Sequence, residues 1–182
     1  MAADRPWLAA AALLAAASLA GPAAGQALPR PLLAGSFREI VATHRQHPFA
    51  VLLWSLDCAP CRDDLGRWAD RLRVHPGIEL VLVSTDRPAL SREVSVLLRR
   101  LGLAGVESWI FAAANEERLR AEIDPRWHGE VPRSYLYCGG RRLRSVSGLP
   151  GPQVLAEWTT ILAPGPAAGD GCGRRAGPEN GG

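Results

Sequence analysis

Lysine is absent from this chain of 182 residues, so all 21 basic residues are arginine. That choice of base carries no functional reading. Methionine occurs once, at position 1, and cysteine only 4 times. At about 2% cysteine the chain is not a disulfide-dense scaffold. The 19 glycines are too sparse for a collagen-like chain. A surplus of one charge is also missing. The 18 acids leave a net charge of +3 spread along the chain, with no basic patch of the kind that grips nucleic acid. What remains is an ordinary apolar share of 47%, which argues against wholesale disorder. The length fits one domain, at about 150 residues per domain.

Both ends differ from the middle. Residues 1–27 carry Arg5, an apolar alanine-rich run from Trp7 to Ala20, and small residues around Pro22. This is the layout of a secretory signal. The run falls short of the roughly 20 strongly apolar residues that a spanning helix needs. Small-x-small patterns place cleavage after Gly25 or after Ala27, and an uncleaved N-terminal anchor is the alternative. No cysteine lies near these positions to carry a lipid. Either way the body is expected outside the cytoplasm, where cysteines meet an oxidising compartment. Residues 163–182 are mostly Gly, Pro and Ala. With no large apolar side chain to offset its ordering entropy, this tail is expected to be disordered. The folded domain is thus expected over residues 28–162.

Within it, Phe49-Ala-Val-Leu-Leu-Trp54 reads as a strand buried on both faces. Residues 62–73 place Leu65, Trp68, Ala69 and Leu72 on one helical face, and His75-Pro76-Gly77 ends the helix. Residues 78–83 form a second buried strand. Pro88 opens a helix with Val94, Leu97, Leu98 and Leu101 as its stripe. A third strand over 106–111 and a short helix over 115–123 follow. A hairpin spans 134–146 around Gly139-Gly140, and a closing helix runs from 152 to 162. Strands alternating with helices, then a hairpin, indicate an α/β sheet with an antiparallel end.

Cys58-Ala59-Pro60-Cys61 lies where the first buried strand meets the first helix. A helix start offers unpaired N–H groups and the positive end of its dipole to Cys58. This favours the thiolate, the form that attacks a disulfide. Cys61, within the first turn, is placed to resolve a mixed disulfide, and Pro60 stiffens the turn without losing a needed N–H. Two other readings stand beside this one. A structural zinc site wants about four ligands, usually two such pairs. Cys138 and Cys172 are separate, and His44 and His47 lie upstream. A plain structural disulfide is the second alternative. Copper carriage is disfavoured by the single methionine and the distance to any histidine.

Residues 49–64, FAVLLWSLDCAPCRDD, resemble the active-site stretch of thioredoxin-fold proteins, most closely the exported TlpA-like thiol–disulfide oxidoreductases. A second segment, Ile123-Asp-Pro-Arg-Trp-His-Gly-Glu-Val-Pro132-Arg-Ser-Tyr, resembles that family's W-x-G-x-x-P loop. The resemblance covers roughly residues 35–162 and implies a thioredoxin-like mixed sheet flanked by helices. It implies Cys58 as the attacking thiol, Cys61 as the resolving thiol and Pro132 as a cis-proline facing them. Val131 would offer backbone to a substrate strand, with Trp54 and Pro60 lining the site. Trp54 matches the family's aromatic four residues before the first cysteine; simple core packing is its other reading.

Two positions depart from the family. Asp57 stands where a Trp usually precedes the first cysteine. Facing the thiol, its carboxylate would raise the Cys58 pKa and favour a reductant; otherwise it caps the helix and points to solvent. Leu52 stands where thioredoxins carry a buried proton-accepting Asp. Asp64, six residues after Cys58, is the family's alternative acid and would move protons to and from Cys61. As an acid in the first helical turn it would be favourable in any case. Cys138 and Cys172 are read first as unpaired bystander thiols, with a tail-tethering disulfide or a relay as alternatives. The resemblance implies thiol–disulfide exchange on protein substrates without cofactor or metal. It further implies a reductase supplied by a membrane electron-donor protein, in a periplasmic or other extracytoplasmic monomer. An oxidase or isomerase, or a non-catalytic partner- or metal-binding module on the same scaffold, is the alternative.

Overall fold

A computed structural model describes residues 28–148 and 150–163. The segments read above as a secretory signal and as a disordered tail lie outside them, apart from Ala163. In chain order the elements are β1 (Arg30–Leu32), α1 (Ser36–Thr43), β2 (Phe49–Trp54), α2 (Ala59–Val74), β3 (Glu79–Ser84), α3 (Ser91–Arg100), β4 (Glu107–Phe111), α4 (Glu116–Ile123), β5 (Arg133–Cys138), β6 (Arg141–Ser147) and α5 (Pro152–Leu162). A 3-10 turn, Pro88–Leu90, leads into α3.

The strands form one sheet in the order β1-β4-β3-β2-β5-β6. The first four run parallel, and β5 and β6 are antiparallel additions. All six residues of β2 are buried, as expected of an unbroken apolar run covered on both faces. Because successive side chains point to opposite faces, β2 divides its residues between two cores. Ala50, Leu52 and Trp54 join Cys61, Leu65 and Trp68 of α2, Val94 and Leu98 of α3, and Leu155 and Trp158 of α5. Phe49, Val51 and Leu53 join Phe37 and Ile40 of α1 and Leu119 and Ile123 of α4. The result is a three-layer α/β architecture with β2 as its axis.

The elements from β2 onward follow the sequence periodicity, with α2 beginning three residues earlier than read. The structure adds β1 and α1. Gly35 precedes α1 at φ +91°, a left-handed conformation suited to glycine. The capping position has no side chain to accept from the first turn; its own N–H donates to both carboxylate oxygens of Glu122 on α4, at 2.9 and 3.0 Å. At the sheet margins, β1 has only three residues, and β6 carries Arg141, Arg142 and Arg144.

Candidate active site

β2 delivers the chain to the end of the sheet, where Ser55, Leu56 and Asp57 turn it into α2. The turn is held from several sides. Thr85 N–H donates to Trp54 O (2.8 Å), and Leu56 N–H donates to the Asp86 carboxylate (3.0 Å). Asp86 also accepts from Ser84 Oγ at 2.6 Å, and the Arg62 guanidinium donates to Leu56 O at 2.9 Å. Asp86 was not singled out in the sequence. A lone acid beyond a strand carries no motif until the fold brings the two loops together.

Cys58 is the N-cap of α2, and its sulfur accepts the Cys61 N–H at 3.1 Å. The N-terminal dipole and an N–H aimed at the sulfur both favour negative charge on Cys58. Cys58 and Cys61 are joined as a disulfide, with Cα atoms 5.2 Å apart. Cys58 is half-buried while Cys61 is fully buried, so only the first sulfur meets an incoming molecule. Ala59 and Pro60 are exposed beside it. Asp57 is also exposed and is not the helix cap.

The peptide bond between Val131 and Pro132 is cis. Val131 O lies 3.6 Å from Cys58 Sγ, so the loop faces the sulfur through main-chain atoms. Pro132 is buried, and its carbonyl accepts from Gly148 N–H at 2.8 Å. Trp54 has no solvent exposure and packs with Cys61 in the core. It therefore supports the pair from below and does not meet a molecule docking at the surface.

Asp64 departs from the reading of it as a first-turn acid. With α2 beginning at Ala59, it lies beyond the first turn, one turn past Cys61 and on the same buried face. Its exposure is zero and neither oxygen has a hydrogen-bond partner. Burial raises its pKa from 3.8 to about 6, only partly opposed by Arg67. A buried carboxyl group with a pKa of about 6, one helical turn from Cys61, can take up or release a proton near neutral pH.

The loop leading to Pro132 rests on a charge cluster that sequence reading missed. Asp124, fully buried after α4, accepts from the Arg142 (2.9 Å) and Arg133 (3.2 Å) guanidiniums and from Tyr135 OH (3.3 Å). Burial alone would raise its pKa, but the Arg126 N–H and the two guanidiniums hold it below the ordinary value. The side-chain partners come from β5 and β6, and no local spacing announces them.

Cys138 corrects another expectation. It is buried at the end of β5 and disulfide-bonded, and none of the described cysteines is a free thiol. Cys172 lies outside the described residues. Among the described residues no cluster of three or more His, Cys, Asp and Glu side chains is suited to a metal ion. No described helix is long and apolar enough to cross a membrane.

No family model matches the sequence, and no curated protein matches it. Solved structures do. MTB DsbF, solved in mixed oxidised and reduced forms, aligns with a TM-score of 0.52 at 15% identity, over 66% of this chain and 84% of that one. A secreted disulfide oxidoreductase of Mycobacterium tuberculosis, homologous to DsbE of E. coli, aligns at 0.49 with 14% identity, over 66% and 86%. StoA from Bacillus subtilis aligns at 0.46 with 19% identity, over 63% and 83%. The chain is a thioredoxin-like α/β protein, with its CxxC pair joined at the N-terminus of α2.

Proposed function

We propose that the chain is an exported thiol–disulfide oxidoreductase that reduces disulfides in proteins. The observation that carries this reading is the inequality of the two sulfurs. One is half-buried at a helix cap; the other is buried, one helical turn before an unpartnered buried carboxyl group.

In the reduced protein, Cys58 thiolate attacks one sulfur of a client disulfide. The client S–S bond breaks, a mixed disulfide forms, and one client thiolate leaves. Cys61 then loses its proton to the Asp64 carboxylate and attacks Cys58 Sγ, expelling the second client thiolate. The client gains two electrons, and the protein is left with the Cys58–Cys61 disulfide. An electron-donor protein in the membrane returns two electrons and closes the cycle. Val131 backbone and Pro60 flank the exposed sulfur and guide an extended client segment past it. The monomeric protein works outside the cytoplasm after residues 1–27 direct its export, with residues 28–162 as the working domain.

The Cys61 N–H on Cys58 Sγ also favours a second reading, since a stabilised thiolate at the attacking position makes the disulfide more oxidising. The deciding experiment equilibrates the protein with glutathione buffers and reads its reduction potential. A value of about −200 mV or lower supports a reductase, and one near −120 mV makes it an oxidase. If Cys58→Ala leaves insulin reduction unchanged, both redox readings fail and a binding module remains.

A further inference from the structure

The loop over residues 124–132 carries Val131 toward Cys58, yet no sheet ladder holds it in place. Main-chain bonds from Gly148 N–H to Pro132 O and from Trp127 N–H to Asp124 O hold it at two points. Side chains hold the rest, and one guanidinium joins its two ends. Arg133 Nη2 donates to Asp124 Oδ2 at 3.2 Å, and Arg133 Nη1 donates to Glu130 Oε1 at 3.3 Å. The brace is reinforced on both sides. Arg142 and Tyr135 OH hold Asp124. Ser147 Oγ donates to Glu130 Oε1 at 2.8 Å, His128 N–H to Glu130 Oε2 at 3.2 Å, and the Trp127 indole to Glu130 O at 2.7 Å. The Arg133 side chain is only 12% exposed and Asp124 is not exposed at all, so water screens this pairing poorly.

We infer that Arg133 is a positioning residue for protein clients. Spanning Asp124 and Glu130, it holds the Val131 main chain at the height where an extended client segment lies against it beside Cys58. This rests on the oxidoreductase reading above. The consequence is selective. A protein client is bound through the loop's main chain, whereas a small aromatic disulfide needs only the exposed sulfur. A planar fork with several N–H donors reaches two carboxylates at once, and a lysine ammonium is a single point charge on a flexible stem. Arg133→Lys therefore keeps the charge and loses the brace, while Arg142 still neutralises Asp124.

The test compares Arg133→Lys with the unaltered chain in two reactions. One is steady-state insulin reduction with dithiothreitol as donor. The other is reaction of the reduced protein with 5,5′-dithiobis(2-nitrobenzoate). The expected result is a KM for insulin raised about tenfold with kcat nearly unchanged, and a small-disulfide rate within about twofold of the parent. Proportional losses in both reactions overturn the inference, because the brace would then only hold the site together. Equal activity in both also overturns it. Glu130→Gln cuts the other end of the brace at a side chain 44% exposed, where loss of folding is not expected. It should show the same split, at about threefold in KM, and the same two outcomes overturn it. If the unaltered protein reduces neither insulin nor the small disulfide, the oxidoreductase reading itself has failed, a pattern distinct from any variant effect.

Discussion

Asp64 stands one turn beyond Cys61 on the buried face of α2, and no protein group hydrogen-bonds its carboxyl oxygens. Its pKa of about 6 lies above the ordinary 3.8, so the folded chain holds this proton more tightly than the unfolded chain. The stabilising contribution is full below the unfolded value, falls as pH rises, and is gone above the folded value. Two pKa units correspond to about 3 kcal/mol. Asp64→Asn should abolish that decline in urea titrations between about pH 4 and pH 6. The variant should end up to about 3 kcal/mol more stable at pH 8. It should also accumulate mixed disulfide in rapid-quench experiments, with resolution slowed by about tenfold or more. Parallel stability curves would exclude the buried acid.

His44, at the end of α1, has a carboxylate on each ring nitrogen: Glu79 at 2.7 Å from Nδ1 and Glu107 at 2.9 Å from Nε2. Arg30 of β1 meets Glu107 from the far side at 3.6 Å, and the Phe49 ring stacks on the imidazole at 4.9 Å. Burial opposes the charged ring, but the two carboxylates outweigh it and raise the pKa above 6.5. This stability is fully present below the unfolded pKa and is lost as pH rises through the raised folded value. His44→Gln should therefore cost most at about pH 6 and progressively less toward pH 9, read as the urea midpoint. A cost independent of pH would show that the clamp carries no charge.

Cys138 should resist alkylation in the oxidised, denatured protein and label only after reduction. Peptide mass spectrometry reads this directly. Repeating the labelling on Cys172→Ser identifies the partner: a newly reactive Cys138 names Cys172, and an unchanged Cys138 points to another chain. Labelling of Cys138 without reduction would overturn its assignment as a disulfide cysteine.

Elements built on local periodicity were legible in the sequence. β2 and α5 match the bounds expected for them, because a doubly buried strand and a Pro-led amphipathic helix announce themselves. β1 did not, since Arg-Pro-Leu has no pattern of its own and becomes a strand by pairing with β4. α1 lacks a side-chain cap, and the Glu122 that accepts from the Gly35 N–H at its start lies 87 residues away. The cysteine pair and Pro132 were visible as motifs. The burial of Asp64 was hidden by where the helix begins: with α2 opening at Ala59 rather than Arg62, the acid moves past the first turn and onto the buried face that also carries Cys61. The Asp124–Arg133–Glu130 brace stayed invisible for a different reason. Charged residues near a loop read as solvated until tertiary structure covers them.

The two margins of the sheet bear on how copies of the chain meet one another. β1 offers three residues to a neighbour, and β6 sets Arg141, Arg142 and Arg144 along its run. Neither is a long, flat, uncharged ribbon, the shape that seeds fibres. Two molecules approaching edge to edge gain a short ladder at one margin and meet the exposed Arg141 at the other, where Arg142 and Arg144 are already paired with Asp124 and Glu157. The fold thereby resists self-templated stacking.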